Sequence, residues 1–140
     1  MPDSVVLDSC IIAAVFFPEG ITEKAIEIAE SHDCITVDLA YVEVANVAWK
    51  RVRHAGQDPE IVRSRLADAQ AFIRETCNVL PAPDLMPAAY DLACSHGITV
   101  YDTLFLAAAV RCGTCLVTGD GRLHDAAKKV VATRLVRSGI

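Results

Sequence analysis

Short apolar runs alternate along the chain with longer segments in which apolar residues recur at helical spacing. Runs 4–7, 34–37, 78–80, 115–118 and 130–135 are brief and rich in β-branched residues, the pattern of buried strands. Segment 21–31 sets Ile21, Ala25, Ile28 and Ala29 on one helical face. Segment 39–54 sets Val42, Ala45, Trp49 and Val52 on one stripe, which predicts that this stripe meets the core. Asp58-Pro59-Glu60 reads as the N-cap, first residue and first-turn acid of a helix. That helix turns Val62, Leu66, Ala69 and Ile73 inward. Asp84 is placed to cap the next helix and Gly97 to end it. Thr99-Val100-Tyr101-Asp102 has the form of a capping box before an apolar run.

Strands that alternate with helices predict βαβ units, hence an α/β fold with a mostly parallel sheet covered on both faces. Neither a repeat, a low-complexity tract nor a linker interrupts the pattern, so a single domain over 1–140 is expected. An apolar content of 53% against 22% charged excludes a disordered chain. No stretch approaches the ~20 apolar residues of a membrane span. The start, Met-Pro-Asp-Ser, lacks the basic opening of a secretory signal, so a cytoplasmic location is expected. The six cysteines are then expected to be free thiols, with Cys34, Cys77 and Cys94 on apolar segments. Cys112-Gly113-Thr114-Cys115 matches C-x-x-C, but it follows a helix and leads into a strand. A reactive pair sits at a helix N-terminus, so this one is read as structural.

In open parallel sheets, ligands bind beyond the carboxyl ends of the strands. Asp8 and Asp120 each follow a predicted strand, while Glu43 and Asp102 lie near the starts of predicted helices. Singly, Asp8, Asp102 and Asp120 each pass as helix caps or first-turn acids, and Glu43 as a solvated residue. Jointly they point to a neutralising cation or a shared proton. Four acids at one crest repel, and a pair ~5 Å apart costs on the order of 3 kcal/mol at an effective dielectric of 20. Oxygen donors without histidine suit Mg2+ or Mn2+ and not Zn2+. His32, His54, His96 and His124 fall at helix ends or loops, with no evident place in such a site.

The stretches Val5-Val6-Leu7-Asp8-Ser9, Tyr41-Val42-Glu43-Val44-Ala45-Asn46, Tyr101-Asp102-Thr103-Leu104-Phe105 and Leu116-Val117-Thr118-Gly119-Asp120 resemble the PIN-domain nucleases. They are especially similar to the toxin nucleases of the VapC type, over nearly the whole chain. The resemblance implies a three-layer α/β/α sandwich of about five strands and Mg2+- or Mn2+-dependent cleavage of RNA. It implies that Asp8, Glu43, Asp102 and Asp120 hold the metal, with Thr118 and Ser9 in support. It also implies a homodimer or higher oligomer and a protein antitoxin that covers the site. The chain departs from the family at Cys10, where Ser or Asn is common, which bears on the hydrogen bonding around Asp8.

Such an ion activates water and offsets charge on the departing oxygen, so no protein nucleophile is required. A net charge of −5 is unusual for a nucleic-acid binder, but without the four candidate acids 14 acids face 13 bases. Lys50, on the Glu43 face of its helix, is the candidate phosphate contact, although cations near a helix C-terminus are also favoured by the dipole. Arg63, Arg65, Lys128 and Lys129 read as solvated surface. Ile61, Val62, Leu66, Phe72 and Ile73 give one helix more apolar surface than a core stripe needs, a hint of an interface. Signalling receiver domains need paired acids at the first strand, and haloacid-dehalogenase-like phosphatases need Asp-x-Asp; Ser9 and Cys10 supply neither. An RNA-processing nuclease outside a toxin–antitoxin pair, and a catalytically weak binding module of the same fold, both stay open.

Overall fold

Every predicted strand enters one parallel sheet. The structure, a computed structural model, describes residues 3–139. Its strands are Ser4–Leu7 (β1), Asp33–Val37 (β2), Asn78–Leu80 (β3), Cys115–Thr118 (β4) and Thr133–Leu135 (β5). Its helices are Ser9–Phe16 (α1), Thr22–Ser31 (α2), Leu39–Arg53 (α3), Pro59–Glu75 (α4), Ala82–His96 (α5), Val100–Cys112 (α6) and Gly121–Ala127 (α7). The strand order is β3-β2-β1-β4-β5, with Val6 opposite Ile35 on one side and Leu116 on the other.

The chain steps outward from β1 to β3, then returns to build β4 and β5 on the other flank. Right-handed crossovers therefore put α1–α4 on one face and α5–α7 on the other. The contacts agree: α1 packs on α2, α3 and α4, whereas α5 packs on α6. The sheet between them is dry, with Val6, Leu7, Val37 and Leu116 fully buried. Helix α6 is buried from Thr103 to Ala109, as befits a helix laid across the centre of the sheet. Gly97 and Gly113 end α5 and α6 at φ of +67° and +62°, in the left-handed region where a Cβ is strained. No single helix among the described residues is long and apolar enough to cross a membrane.

Four local expectations need correction. The buried face of α3 is Ala40, Val44 and Ala48, not the stripe of larger residues. Val42 and Trp49 are 66% and 53% exposed. Small residues let α3 sit close against α1 and α4, and close approach outweighs the size of the side chains on the other stripe. Strand β5 starts only at Thr133, because a turn follows α7 through Val130. Asp84 lies in the first turn of α5 without capping it; Asp38, from the end of β2, accepts from the Ala82 N–H at 3.0 Å instead. Cys94 and Cys112 are exposed, while Cys34 is buried as expected.

Candidate active site

The strand order reverses between β1 and β4, and a crevice opens there beyond their carboxyl ends. Asp8 leaves β1 into this crevice and is 5% exposed. Its backbone N–H still pairs with the Val117 carbonyl at 3.2 Å, which fixes the residue against β4. Oδ1 accepts the Ile11 N–H at 3.1 Å, so Asp8 does cap α1. Oδ1 also accepts the Cys10 thiol at 3.0 Å, and Oδ2 accepts the Thr118 hydroxyl. Thr118 in turn accepts the Asp120 N–H at 3.0 Å, and the Cys10 sulfur accepts the Gly119 N–H at 3.2 Å. These bonds close a ring between the start of α1 and the turn after β4. A Cβ on Gly119 would stand 3.2 Å from the Cys10 sulfur, a contact that the sulfur would have to yield by a few tenths of an ångström. The departure at Cys10 therefore leaves the hydrogen bonding around Asp8 complete.

The other three acids come from helix starts. Glu43, on the second turn of α3, is half-buried and accepts the Ser9 hydroxyl at 2.8 Å. Asp102 lies in the first turn of α6, where its N–H donates to the Thr99 hydroxyl at 3.2 Å. Asp120 caps α7, accepting the Arg122 and Leu123 N–H groups at 2.9 and 3.4 Å.

Electrostatics tie the four together. Burial pushes the Asp8 carboxyl up to about 6 against the pull of its Thr118, Cys10 and Ile11 donors, and the Asp102 charge adds to the rise. Burial likewise raises Glu43, helped by the charges of Asp102 and Asp8 and opposed by Ser9. Burial and then the Asp120 charge raise Asp102, with Thr99 and Arg122 acting the other way. The Cys10 thiol is pushed well up by burial and by Asp8, which keeps it a protonated donor.

Among the described residues, none of the four acids forms an ion pair. The same residues contain no group of three acidic, histidine or cysteine side chains close enough to be a ready cation cage. The acids thus share a crest without converging on one point. Their chemistry fits a hard cation: oxygen donors only, partly desolvated, mutually repelling and without a direct ion pair among the described residues. Lys50 lies in the last turn of α3, exposed and about two helical turns from Glu43. Sequence reasoning marked Cys10 only as a departure bearing on the hydrogen bonding around Asp8, and it missed Arg122, which carries no signal except its place two residues after Asp120.

The comparisons with known proteins agree with this fold. The family model described as PIN domain matches residues 5–129. The chain is 32% identical over 122 residues to Ribonuclease VapC3 of Pyrobaculum aerophilum, covering 86% of this chain and 92% of that one. A crystal structure of another Pyrobaculum aerophilum protein has a TM-score of 0.71 at 23% identity, covering 95% of this chain and 92% of that one. VapBC2 of Rickettsia felis, solved with a DNA fragment from its promoter, has a TM-score of 0.64 at 13% identity. That likeness spans 96% of this chain and 99% of the other. With the matched region running from β1 to the end of α7 and every acid of the crest inside it, the chain belongs to the PIN-domain family.

Proposed function

We propose that this protein is a Mg2+- or Mn2+-dependent endoribonuclease and the toxin of a toxin–antitoxin pair, acting in the cytoplasm. The observation that carries the reading is the gathering of Asp8, Glu43, Asp102 and Asp120 at the switch point of the sheet without cationic partners. The 32% identical relative bears the name of a ribonuclease, and the Rickettsia felis neighbour is a VapBC assembly.

Asp8, Glu43 and Asp102 would hold the cation, with Asp120 at the margin of the site. When bound, the ion supplies an activated water and offsets charge on the leaving oxygen. Thr118, Cys10 and the Ile11 N–H hold the Asp8 carboxylate, and Ser9 holds Glu43. Neither Ser9 nor Cys10 is poised as a nucleophile: Ser9 spends its proton on Glu43, and Cys10 stays a thiol. The reading includes a homodimer and a protein antitoxin. The exposed Val42, Trp49 and Ile61 offer them apolar surface on α3 and α4.

Structured RNA incubated with the protein should be cut in Mn2+ and left intact in EDTA. Asp8→Asn should lower the rate by at least ~100-fold, the scale seen when a group that stabilises developing charge is lost. Cleavage at the parental rate in EDTA, or by the variant, would refute the metal-dependent reading.

A further inference from the structure

Two cavities open beside the acidic crest and share a wall. One, of about 230 Å3, is lined by Gly97, Ile98, Thr99, Asp102, Asp120 and Arg122. The other, of about 320 Å3, continues past Ile98 and Arg122 to His96, Asp125 and Lys129. Together they form a channel that leads from the acids along the seam between the end of α5 and α7.

Its charge changes along its length. The near end holds Asp102 and Asp120; Arg122 follows, and Lys129 lies beyond. Arg122 and Lys129 are exposed, and neither forms an ion pair among the described residues. Asp125 is the carboxylate of the outer cavity, and Lys128 already pairs with it at 3.3 Å. Two cations without a direct ion pair, Arg122 near enough to act on Asp102 and Lys129 farther out, thus stand beside an acid cluster that by itself repels any polyanion. The wall between them is Ile98, with the His96 imidazole beyond, an apolar and a flat surface of the kinds on which single-stranded bases rest.

We propose that this channel binds the single-stranded RNA that flanks the scissile bond. Arg122 takes the phosphate next to the acids, Lys129 takes one further out, and a base lies against Ile98 and His96. The assignment rests on the nuclease reading above and gives the substrate its direction: the strand leaves the crest along α7, not along α3 past Lys50.

The test is fluorescence anisotropy of a labelled single-stranded RNA oligonucleotide over a KCl series, in Ca2+ to occupy the acids. The full chain is compared with Arg122→Gln/Lys129→Ala and with Lys50→Ala, and urea unfolding of each checks the fold. The double variant should bind about tenfold more weakly at 0.1 M salt. Its log–log salt slope should shrink by about 1.4, two phosphates at ~0.7 each for a single strand. Lys50→Ala should match the parent. If the double variant matches the parent, or if only Lys50→Ala loses affinity, the channel is wrong and the nuclease reading stands. A parent that binds no RNA overturns both. Should the double variant unfold early, Lys129→Glu alone replaces it, and an unchanged slope there overturns the assignment equally.

Discussion

The two ends of the parallel sheet carry cavities of unequal size and unequal chemistry. At the amino end a cavity of about 530 Å3 is lined by His32, Cys112, Thr114, Cys115 and Arg134 among others. Several of its polar groups are already engaged. Thr114 donates to the Ser4 carbonyl, His32 Nδ1 lies 3.0 Å from the Ile28 carbonyl, and burial keeps Cys115 a thiol. The cavity of about 230 Å3 at the carboxyl end is smaller, yet it holds Asp102 and Asp120 beside an Asp8 raised to about 6. The difference is one of strand direction. At the carboxyl end β1, β2, β3 and β4 each deliver the chain into a helix, and helix starts favour acids, so several segments contribute carboxylates to one place. Clustered like charge, not volume, sets apart the carboxyl end, where the active site is proposed.

The contrast can be broken first at Asp8. The carboxyl is protonated in both states below its ordinary value of 3.8. Between there and about 6 the unfolded chain ionises while the folded one does not, so stability falls as pH rises and stays low above. Asp8→Asn, which cannot ionise, should gain on the metal-free parent between pH 4 and pH 7.5 by roughly 3 kcal/mol in urea unfolding. A pH-independent gap between the two would show that Asp8 is not the strained acid.

A smaller effect is expected at Thr118, whose hydroxyl serves both Asp8 and the Asp120 N–H. Thr118→Val should destabilise by about 1–3 kcal/mol, because a buried carboxylate oxygen loses its donor. The loss should be greater at pH 7.5 than at pH 5, where Asp8 carries less charge. Equal losses at both pH values would make Thr118 a packing residue only. The smallest effect belongs to the amino end: Arg134→Ala should change stability by less than about 0.5 kcal/mol and leave RNA cleavage at the parental rate. Impaired cleavage there would erase the distinction between the two ends.

Local signals wrote much of this structure into the chain. The strands are short and β-branched, and the glycines at 97 and 113 and the caps at Asp8, Asp58, Thr99 and Asp120 stand where the elements begin or end. Each depends on neighbours within a few residues, so each is readable without the fold. Position after a strand was likewise enough to single out Asp8 and Asp120, and helix starts led to Glu43 and Asp102. The stripe on α3 misled because hydrophobic size predicts burial only on average. The packed face was chosen by how closely Ala40, Val44 and Ala48 let the helix approach α1 and α4.

Tertiary structure alone decided which residues meet across long separations. The Thr118 hydroxyl reaches Asp8 from 110 positions away, and the Gly119 N–H reaches Cys10 from 109. The sequence by itself determined that this chain would build an α/β sheet with acids at its carboxyl end. Only folding put the Thr118 hydroxyl on Asp8 and the Gly119 N–H on the Cys10 sulfur, because β1 and β4 become neighbours through the reversal of strand order and through no local feature of either segment.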